Sequence, residues 1–406
     1  MLAGGDAHTV AIVRTTTVQP PVLNEDFVIT YGNNDFGQLG VNELTTETEL
    51  AAVALPNSEI RTAVQFEIKQ VCAGANYSAI LSVDGSVWTW GSNTRGQLGI
   101  GNYNDSSTPR LVMIAESISH ILCGSDFMFA MTTRTPVVLY SWGNNDMKQL
   151  ADPTDGSPMR NAPSIAFGIP PDAVSQSISP SICTGGSHGA FVSSDDSSVH
   201  TWGSNLYGQL GVNKTSSELL SSSSAVKVTG TSGALGVWCG FGHTLIYKPA
   251  TLSPGTYNIL AWGYNVSGEV GIPVSGEPAS ATPSTVLYPI VIQQISTSSP
   301  GLVLFAALGS FHSIVLQNGA PLPPIAPPAP KASPFAFMYV YPVIPVALVI
   351  IIHIAKLNLK KSKAPAQKMF KVSPPASPEI ARRQSKFADR VADALNQKRK
   401  KMNHQC

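Results

Sequence analysis

Apolar residues along the first 318 positions come in short runs, each closed by a turn of Gly, Asn, Asp or Ser. The run that follows His8, the segments Arg110–Ile114 and Ile118–Cys123, and the residues leading into each Trp-Gly are typical. Runs this short, rich in Val and Ile and bounded by turn residues, read as buried β-strands rather than helices. Four such strands fit into each stretch of about 60 residues, which is the arithmetic of a propeller blade.

The turns between the runs repeat. One phrase recurs as YGNNDFGQLG from Tyr31, WGSNTRGQLG from Trp90, WGNNDMKQLA from Trp142, WGSNLYGQLG from Trp202 and WGYNVSGEVG from Trp262, at intervals of 59, 52, 60 and 60 residues. A second phrase alternates with it: Gly, two residues, usually His, then an apolar run. Its copies begin at Gly5, Gly74, Gly124, Gly186 (one residue shorter than the rest), Gly240 and Gly309, and they bring in His8, His188, His243 and His312. A Trp at a fixed point of each unit offers a flat surface to the next unit. The glycines at Gly37, Gly96, Gly208 and Gly268 suit positive-φ turns, and the Asn can bond its own backbone there. The histidines belong to the repeat and read as structural. Lys148 and Ala151 replace both turn glycines of the Trp142 copy, so that blade is expected to be irregular.

The two alternating phrases resemble the regulator of chromosome condensation repeat family, over about residues 3–318. The resemblance implies an all-β propeller, typically of seven four-stranded blades. This chain shows five full units and a sixth that stops after one strand at Gln317, so five to seven blades are expected, with the N-terminus cut short or the ring smaller. Some members of that family act as guanine-nucleotide exchange factors for a small GTPase, which makes that activity the alternative to a binding role. Chromatin binding, another family activity, is disfavoured by charge: residues 1–355 hold 12 Lys and Arg against 22 Asp and Glu, and DNA contact needs positive surface.

The pattern changes after residue 318. Residues 319–334 hold seven prolines and read as a polyproline spacer. Phe335–Ala355 is then free of charge for 21 residues, long enough as a helix of about 31 Å to cross a hydrocarbon core of about 30 Å. Lys356, Lys360, Lys361 and Lys363 follow it directly, which by the positive-inside rule puts the tail in the cytosol and the propeller outside or in a lumen. The start of the chain has no basic region followed by an apolar one, so an export signal is expected upstream of Met1. Residues 356–406 carry 14 basic and 3 acidic residues and read as a largely disordered tail that touches anionic lipid. An amphipathic helix is a candidate over 379–402, and Ser373, Ser377 and Ser385 are candidate phosphorylation sites.

Little else in the sequence suggests chemistry. Cys72, Cys123, Cys183 and Cys239 each fall one or two residues before a repeat Gly, and read as small apolar residues on buried strands. No C-x-x-C or Cys/His pair suggests a metal. Cys406 belongs to no prenylation box. There is no nucleophile elbow, no HExxH and no phosphate loop, so neither an enzyme nor a cofactor is expected. Of four N-x-S/T sequons, Asn76 and Asn265 lie inside the repeat phrases, which leaves Asn104 and Asn213 as candidate glycosylation sites. The expected protein is a non-enzymatic, single-pass membrane protein. Its propeller binds a protein partner through loops of variable length (Glu43–Ala52, Asn102–Pro109, Asp152–Pro163 and Lys214–Ser224), its anchor and tail meet lipid, and no nucleic acid is involved.

Overall fold

A computed structural model describes residues 1–16, 24–42, 51–53, 67–175, 181–251, 255–271, 285–296, 304–308 and 313–317. The linker, the apolar span and the tail with its serines therefore lie outside the described residues, as does His312. The chain divides into two units, Met1–Pro300 with Ala306–Ser313, and Gly301–Phe305 with Ile314–Cys406. What is described of the second unit, 304–305 and 314–317, is extended chain.

The first unit holds five antiparallel four-stranded sheets, each in sequence order. Blade 1 consists of β1 (Leu2–Gly4), β2 (His8–Thr16), β3 (Asn24–Gly32) and β4 (Ala51–Ala52). Blade 2 has β5 (Ile68–Ala73), β6 (Tyr77–Ser82), β7 (Val87–Gly91) and β8 (Ser106–Leu111), and blade 3 has β9 (Ile118–Cys123), β10 (Phe127–Thr132), β11 (Leu139–Asn144) and β12 (Met159–Ile165). Blade 4 follows with β13 (Ile182–Thr184), β14 (His188–Val192), β15 (Val199–Ser204) and β16 (Ser221–Lys227). Blade 5 follows with β17 (Gly236–Cys239), β18 (His243–Pro249), β19 (Thr256–Tyr264) and β20 (Thr285–Ser296). Two further strands, β21 (Leu304–Leu308) and β22 (Ser313–Gln317), pair with each other, where the repeat reading expected one.

A unit counted from the apolar run after each Gly-x-x-His turn, with Arg110–Ile114 and Ile118–Cys123 as its last two strands, is off by one strand. The apolar run ahead of each Gly-x-x-His turn opens the next sheet instead of closing the last: Ile121 and Cys123 of β9 pair with Ala130 and Met128 of β10. These first strands sit innermost, and β1, β5, β9, β13 and β17 neighbour one another in that order.

No blade buries its faces alone, so the core is divided among the seams between blades. Val10, Val28, Ile68, Val71, Ile80 and Trp90 fill the seam of blades 1 and 2. Tyr77, Leu98, Ile121, Met128 and Trp142 fill the next. Phe127, Phe129, Leu150, Phe191 and Trp202 fill the third. Ala190, Val237, Ile246, Trp262 and Val270 fill the fourth.

Candidate protein-binding face

The two repeated phrases form one end of every blade. The third residue of each Gly-x-x-His turn lends its carbonyl to the residue just past the Gly of the Trp-Gly phrase: Asn33 N–H to Ala7, Ser92 to Asn76, Asn144 to Asp126, Ser204 to Ser187 and Tyr264 to Gly242, all at 2.8–2.9 Å. That approach needs positive φ at Gly32, Gly91, Gly143, Gly203 and Gly263, where an added Cβ would meet the same carbonyl. The Asn of WGxN then organises the rest of the turn. Asn34, Asn93, Asn145, Asn205 and Asn265 accept, through Oδ1, the backbone N–H of Leu39, Leu98, Leu150, Leu210 and Val270.

Gly37, Gly96, Gly208 and Gly268 stand at positive φ within this turn. The turn of blade 3 does not become irregular, contrary to the sequence expectation. Lys148 (φ 60°) and Ala151 (φ 51°) take the same left-handed conformations, and Asn145 O and Lys148 O accept the same bonds from Lys148 N–H and Ala151 N–H. The neighbouring blade absorbs the extra methyl. Elsewhere, at Gly40, Gly99 and Gly211, a Cβ would stand 2.6–2.7 Å from the Nε1 of the next blade's Trp. Facing Ala151, that Trp is Trp202, and its six-membered ring occupies the space where a Cβ on Gly189 would be.

Trp90, Trp142, Trp202 and Trp262 are fully buried, and Tyr31, 8% exposed, holds their place in blade 1. Each Trp donates Nε1–H across a seam to the backbone of the preceding blade's Gln: Gln38, Gln97, Gln149 and Gln209, at 2.9–3.0 Å. The histidines join the same network. His8 Nε2 meets Ser78 Oγ at 2.9 Å and His188 Nε2 meets Thr244 Oγ1 at 3.0 Å. His243 Nε2 meets Ser313 Oγ at 2.8 Å. Each hydroxyl spends its proton on a backbone carbonyl, of Gln38, Gln209 and Glu269 respectively. The imidazole Nε2 must therefore be the donor, which fixes the neutral tautomer. Burial pushes His8 down to about 4 and His188 down to about 3, the latter also through repulsion from His243.

The partner residues vary together. Where blade 2 has Tyr77 in place of His, its hydroxyl donates to Gly124 O and Phe127 O, and the next blade offers Met128 in place of Ser or Thr. Where blade 3 has Phe127, the next blade offers Gly189.

Sequence reasoning missed one feature altogether: the four cysteines are two disulfides, each across a seam. Cys72 of β5 bonds Cys123 of β9, with 5.9 Å between Cα atoms, and Cys183 of β13 bonds Cys239 of β17 at 5.6 Å. The signal lay in the offset from the repeat glycine. Cys72 and Cys183 stand two residues before Gly74 and Gly185, whereas Cys123 and Cys239 stand one residue before Gly124 and Gly240. Adjacent strand residues point to opposite faces, so the first pair looks forward to the next blade and the second pair looks back.

At the axis the Gly-x-x-His turns form a belt of backbone hydrogen bonds: Asp6 to Ala75, Ala75 to Ser125, Ser125 to Gly186 and Gly186 to Phe241. Around it, on the same end, the blades differ. Blades 4 and 5 expose Leu206 (43%), Phe241 (42%) and Val266 (61%), with Tyr207 and Tyr264 edge-to-face at 4.7 Å beside Gly242. Blades 1 to 3 carry Asp6, Asp35, Asp126 and Asp146, with Phe36 exposed beside Asp35 and Arg95 paired to Asp146 at 3.2 Å. Asp126 is raised above the ordinary carboxylate range by burial and by Asp6, against the pull of Arg95. This end is a half-apolar, half-acidic surface on a rigid frame. Among the described residues no group of His, Cys, Asp and Glu fits a metal. Asn104 and Asn213 lie exposed at the rim of this end, whereas Asn76 is half-buried and Asn265 is buried.

Comparisons with known proteins agree with the repeat. Models of the regulator of chromosome condensation (RCC1) repeat match residues 84–131 and 68–97. The ultraviolet-B receptor UVR8 of Arabidopsis thaliana is 27% identical over 273 residues, 67% of this chain and 54% of that protein. The E3 ubiquitin-protein ligase HERC2 of Homo sapiens is 28% identical over 202 residues, 49% of this chain but 4% of its own length. The chain thus spans about half of UVR8 and a small part of HERC2. Among solved structures, human WBSCR16 superposes with a TM-score of 0.57 at 22% identity, over 79% of this chain and 71% of its own. Yeast RCC1 (Prp20), solved bound to Kap60, superposes with a TM-score of 0.58 at 21% identity, over 78% and 67%. Residues 68–131 therefore carry regulator of chromosome condensation repeats, and the chain has the β-propeller fold of that family.

Proposed function

We propose that this chain is a non-enzymatic, single-pass membrane protein whose propeller serves as a protein-binding or scaffold module on the non-cytosolic side. The observation that carries the reading is the pair of inter-blade disulfides. Disulfides persist in oxidising compartments and are rare where glutathione keeps thiols reduced. That argument is independent of the one from Lys356, Lys360, Lys361 and Lys363, and both favour a non-cytosolic propeller. Phe335–Ala355 supplies the span and the basic tail its contact with anionic lipid, with Ser373, Ser377 and Ser385 as phosphorylation sites that would weaken that contact. The end that carries Leu206, Phe241 and Val266 is the binding surface, since exposed apolar side chains on a rigid frame suit a protein partner better than nucleic acid.

The alternative, exchange on a small GTPase, draws support from the fold shared with Prp20, another of whose structures is described together with its binding to Gsp1p and histones. Fold alone does not transfer an activity, and paired cysteines favour the other side of the membrane.

Protease treatment of sealed microsomes, with the full chain tagged at its C-terminus, tests this reading. It predicts a protected propeller and a clipped tag. A propeller digested from outside the microsome would overturn it and revive the exchange reading.

A further inference from the structure

We propose that the propeller carries two N-linked glycans, on Asn104 and Asn213, and none on Asn76 or Asn265. The inference rests on the non-cytosolic reading above and adds to it a pair of modification sites. The sequence sets Asn76 and Asn265 apart by their place in the repeat phrases, and the surroundings of all four give the physical reason.

Asn265 is 3% exposed, and its Oδ1 accepts the Val270 N–H at 3.0 Å inside the blade 5 turn. A sugar there would break that turn. Asn76 lies in the axial belt between Ala75, bonded to Ser125 O, and the buried Tyr77. The hydroxyl of its sequon is Ser78, which is fully buried and tied to both Gln38 O and His8.

Asn104 and Asn213 stand in corresponding segments, between β7 and β8 and between β15 and β16. Both are exposed, and among the described residues neither carboxamide has a hydrogen-bond partner. Their backbones are nonetheless fixed by the Asn of WGxN: Asn93 Nδ2 donates to Asn104 O and Asn205 Nδ2 donates to Lys214 O, each at 3.0 Å. Each segment also leans on the outer strand of the next blade, through Gly101 N–H to Asn161 O and Asn213 N–H to Leu287 O, both 2.8 Å. The two glycans would therefore ride over the outer edges of the two seams that hold disulfides. They would leave the axial turns open, so a partner would have to approach along the axis.

The transfer needs an oligosaccharide activated as a lipid-linked glycosyl pyrophosphate, the donor class of the secretory pathway. Asn Nδ2 forms the bond to C1, and the bond from C1 to the pyrophosphate oxygen breaks. The lipid pyrophosphate leaves with that electron pair, and the proton lost from Nδ2 passes to the transferase's base.

The test is expression of the full chain in cultured eukaryotic cells, followed by peptide N-glycosidase digestion, gel mobility and peptide mass mapping. The expected result is loss of two glycans' worth of mass, with Asn-to-Asp conversion at 104 and 213 alone. N104Q and N213Q should each remove one step and the double variant both; S106A and T215A, which keep the asparagines, should do the same. An unshifted chain, or conversion at Asn76 or Asn265, would overturn the proposal. Thiol alkylation of the same sample separates the two readings. Blocked Cys72, Cys123, Cys183 and Cys239 on an unglycosylated chain would sink the glycan sites and leave the compartment standing; free thiols there would sink both.

Discussion

Two seams of this propeller solve one packing problem by different means. Between blades 4 and 5 the join is polar and covalent: His188 reaches Thr244, Trp262 reaches Gln209 O, and Cys183 is bonded to Cys239. Between blades 3 and 4 the histidine is replaced by Phe127 and the hydroxyl by Gly189. No disulfide crosses, and Phe129 and Phe191 pack against Trp202 at centroid distances of 5.4 and 6.2 Å. A buried polar relay stabilises only when every member finds its partner, so relay residues change as a set. An aromatic seam asks for shape alone. The comparison shows that the repeat keeps one backbone acceptor per seam, the Gln carbonyl, and leaves the remaining chemistry free.

The sharpest way to break the comparison is to empty the aromatic seam. Trp202→Ala should cost about 5 kcal/mol, the upper end for a buried aromatic, because it also orphans the bond to Gln149 O. Denaturant titration of the purified chain would read it, and a loss under about 1 kcal/mol would mean that this seam carries little.

Next comes the covalent seam. Cys183→Ser with Cys239→Ser opens a closure of 56 residues, worth about 4 kcal/mol in the chain-entropy account. Reducing agent should cost the wild type both bridges and the double variant only Cys72–Cys123, so the variant should lose about half as much.

The relay can be tested by exchange. His8→Phe should cost about 2 kcal/mol, because it removes a buried hydrogen bond and leaves Ser78 beside a ring. Adding Ser78→Gly, which copies the solution of blades 3 and 4, should recover part of that loss if the two positions act as a set. Full additivity in the double-mutant cycle would contradict the pairing.

The same histidines set a pH dependence. Their folded values, about 4 for His8 and about 3 for His188, lie below the ordinary value of 6.5, so the unfolded chain binds more protons between them. Stability should therefore be full above about pH 6.5 and fall on acidification, at about 1.4 kcal/mol per pH unit per histidine. The aromatic seam has no histidine in a relay, only the partly buried His200 stacked on Phe191 and lowered by burial, so the slope should shrink in His8→Phe with Ser78→Gly.

The smallest expected effect is Lys148→Gly. It relieves a left-handed lysine (φ 60°) and should stabilise by about 1 kcal/mol, seen as a small rise in midpoint.

The strands and the repeat unit were legible because alternating Gly-x-x-His and WGxN turns punctuate the chain at a fixed interval. The sheet boundary was not, since a strand placed before a turn looks the same whichever blade it joins. The blade 3 turn was misjudged because its geometry is held by Asn145 and by the room at Gly189, and the glycine pattern alone hides both. The disulfides were missed for a related reason. Cys72, Cys123, Cys183 and Cys239 share a phase to within one residue, and in a strand one residue decides which neighbour the side chain faces. Of the candidate face, the phrases gave the turns, but the exposure of Leu206, Phe241 and Val266 depends on how blades 4 and 5 adjoin.

The most direct test of the account is the thiol state of the full chain taken from its own cells, by alkylation before and after reduction with peptide mass mapping. The account predicts that Cys72, Cys123, Cys183 and Cys239 react only after reduction, in the pairs 72–123 and 183–239, and that Cys406, in the tail proposed to be cytosolic, reacts without it. Four freely reactive cysteines in the propeller would contradict both the bridged seams and the side of the membrane assigned to them.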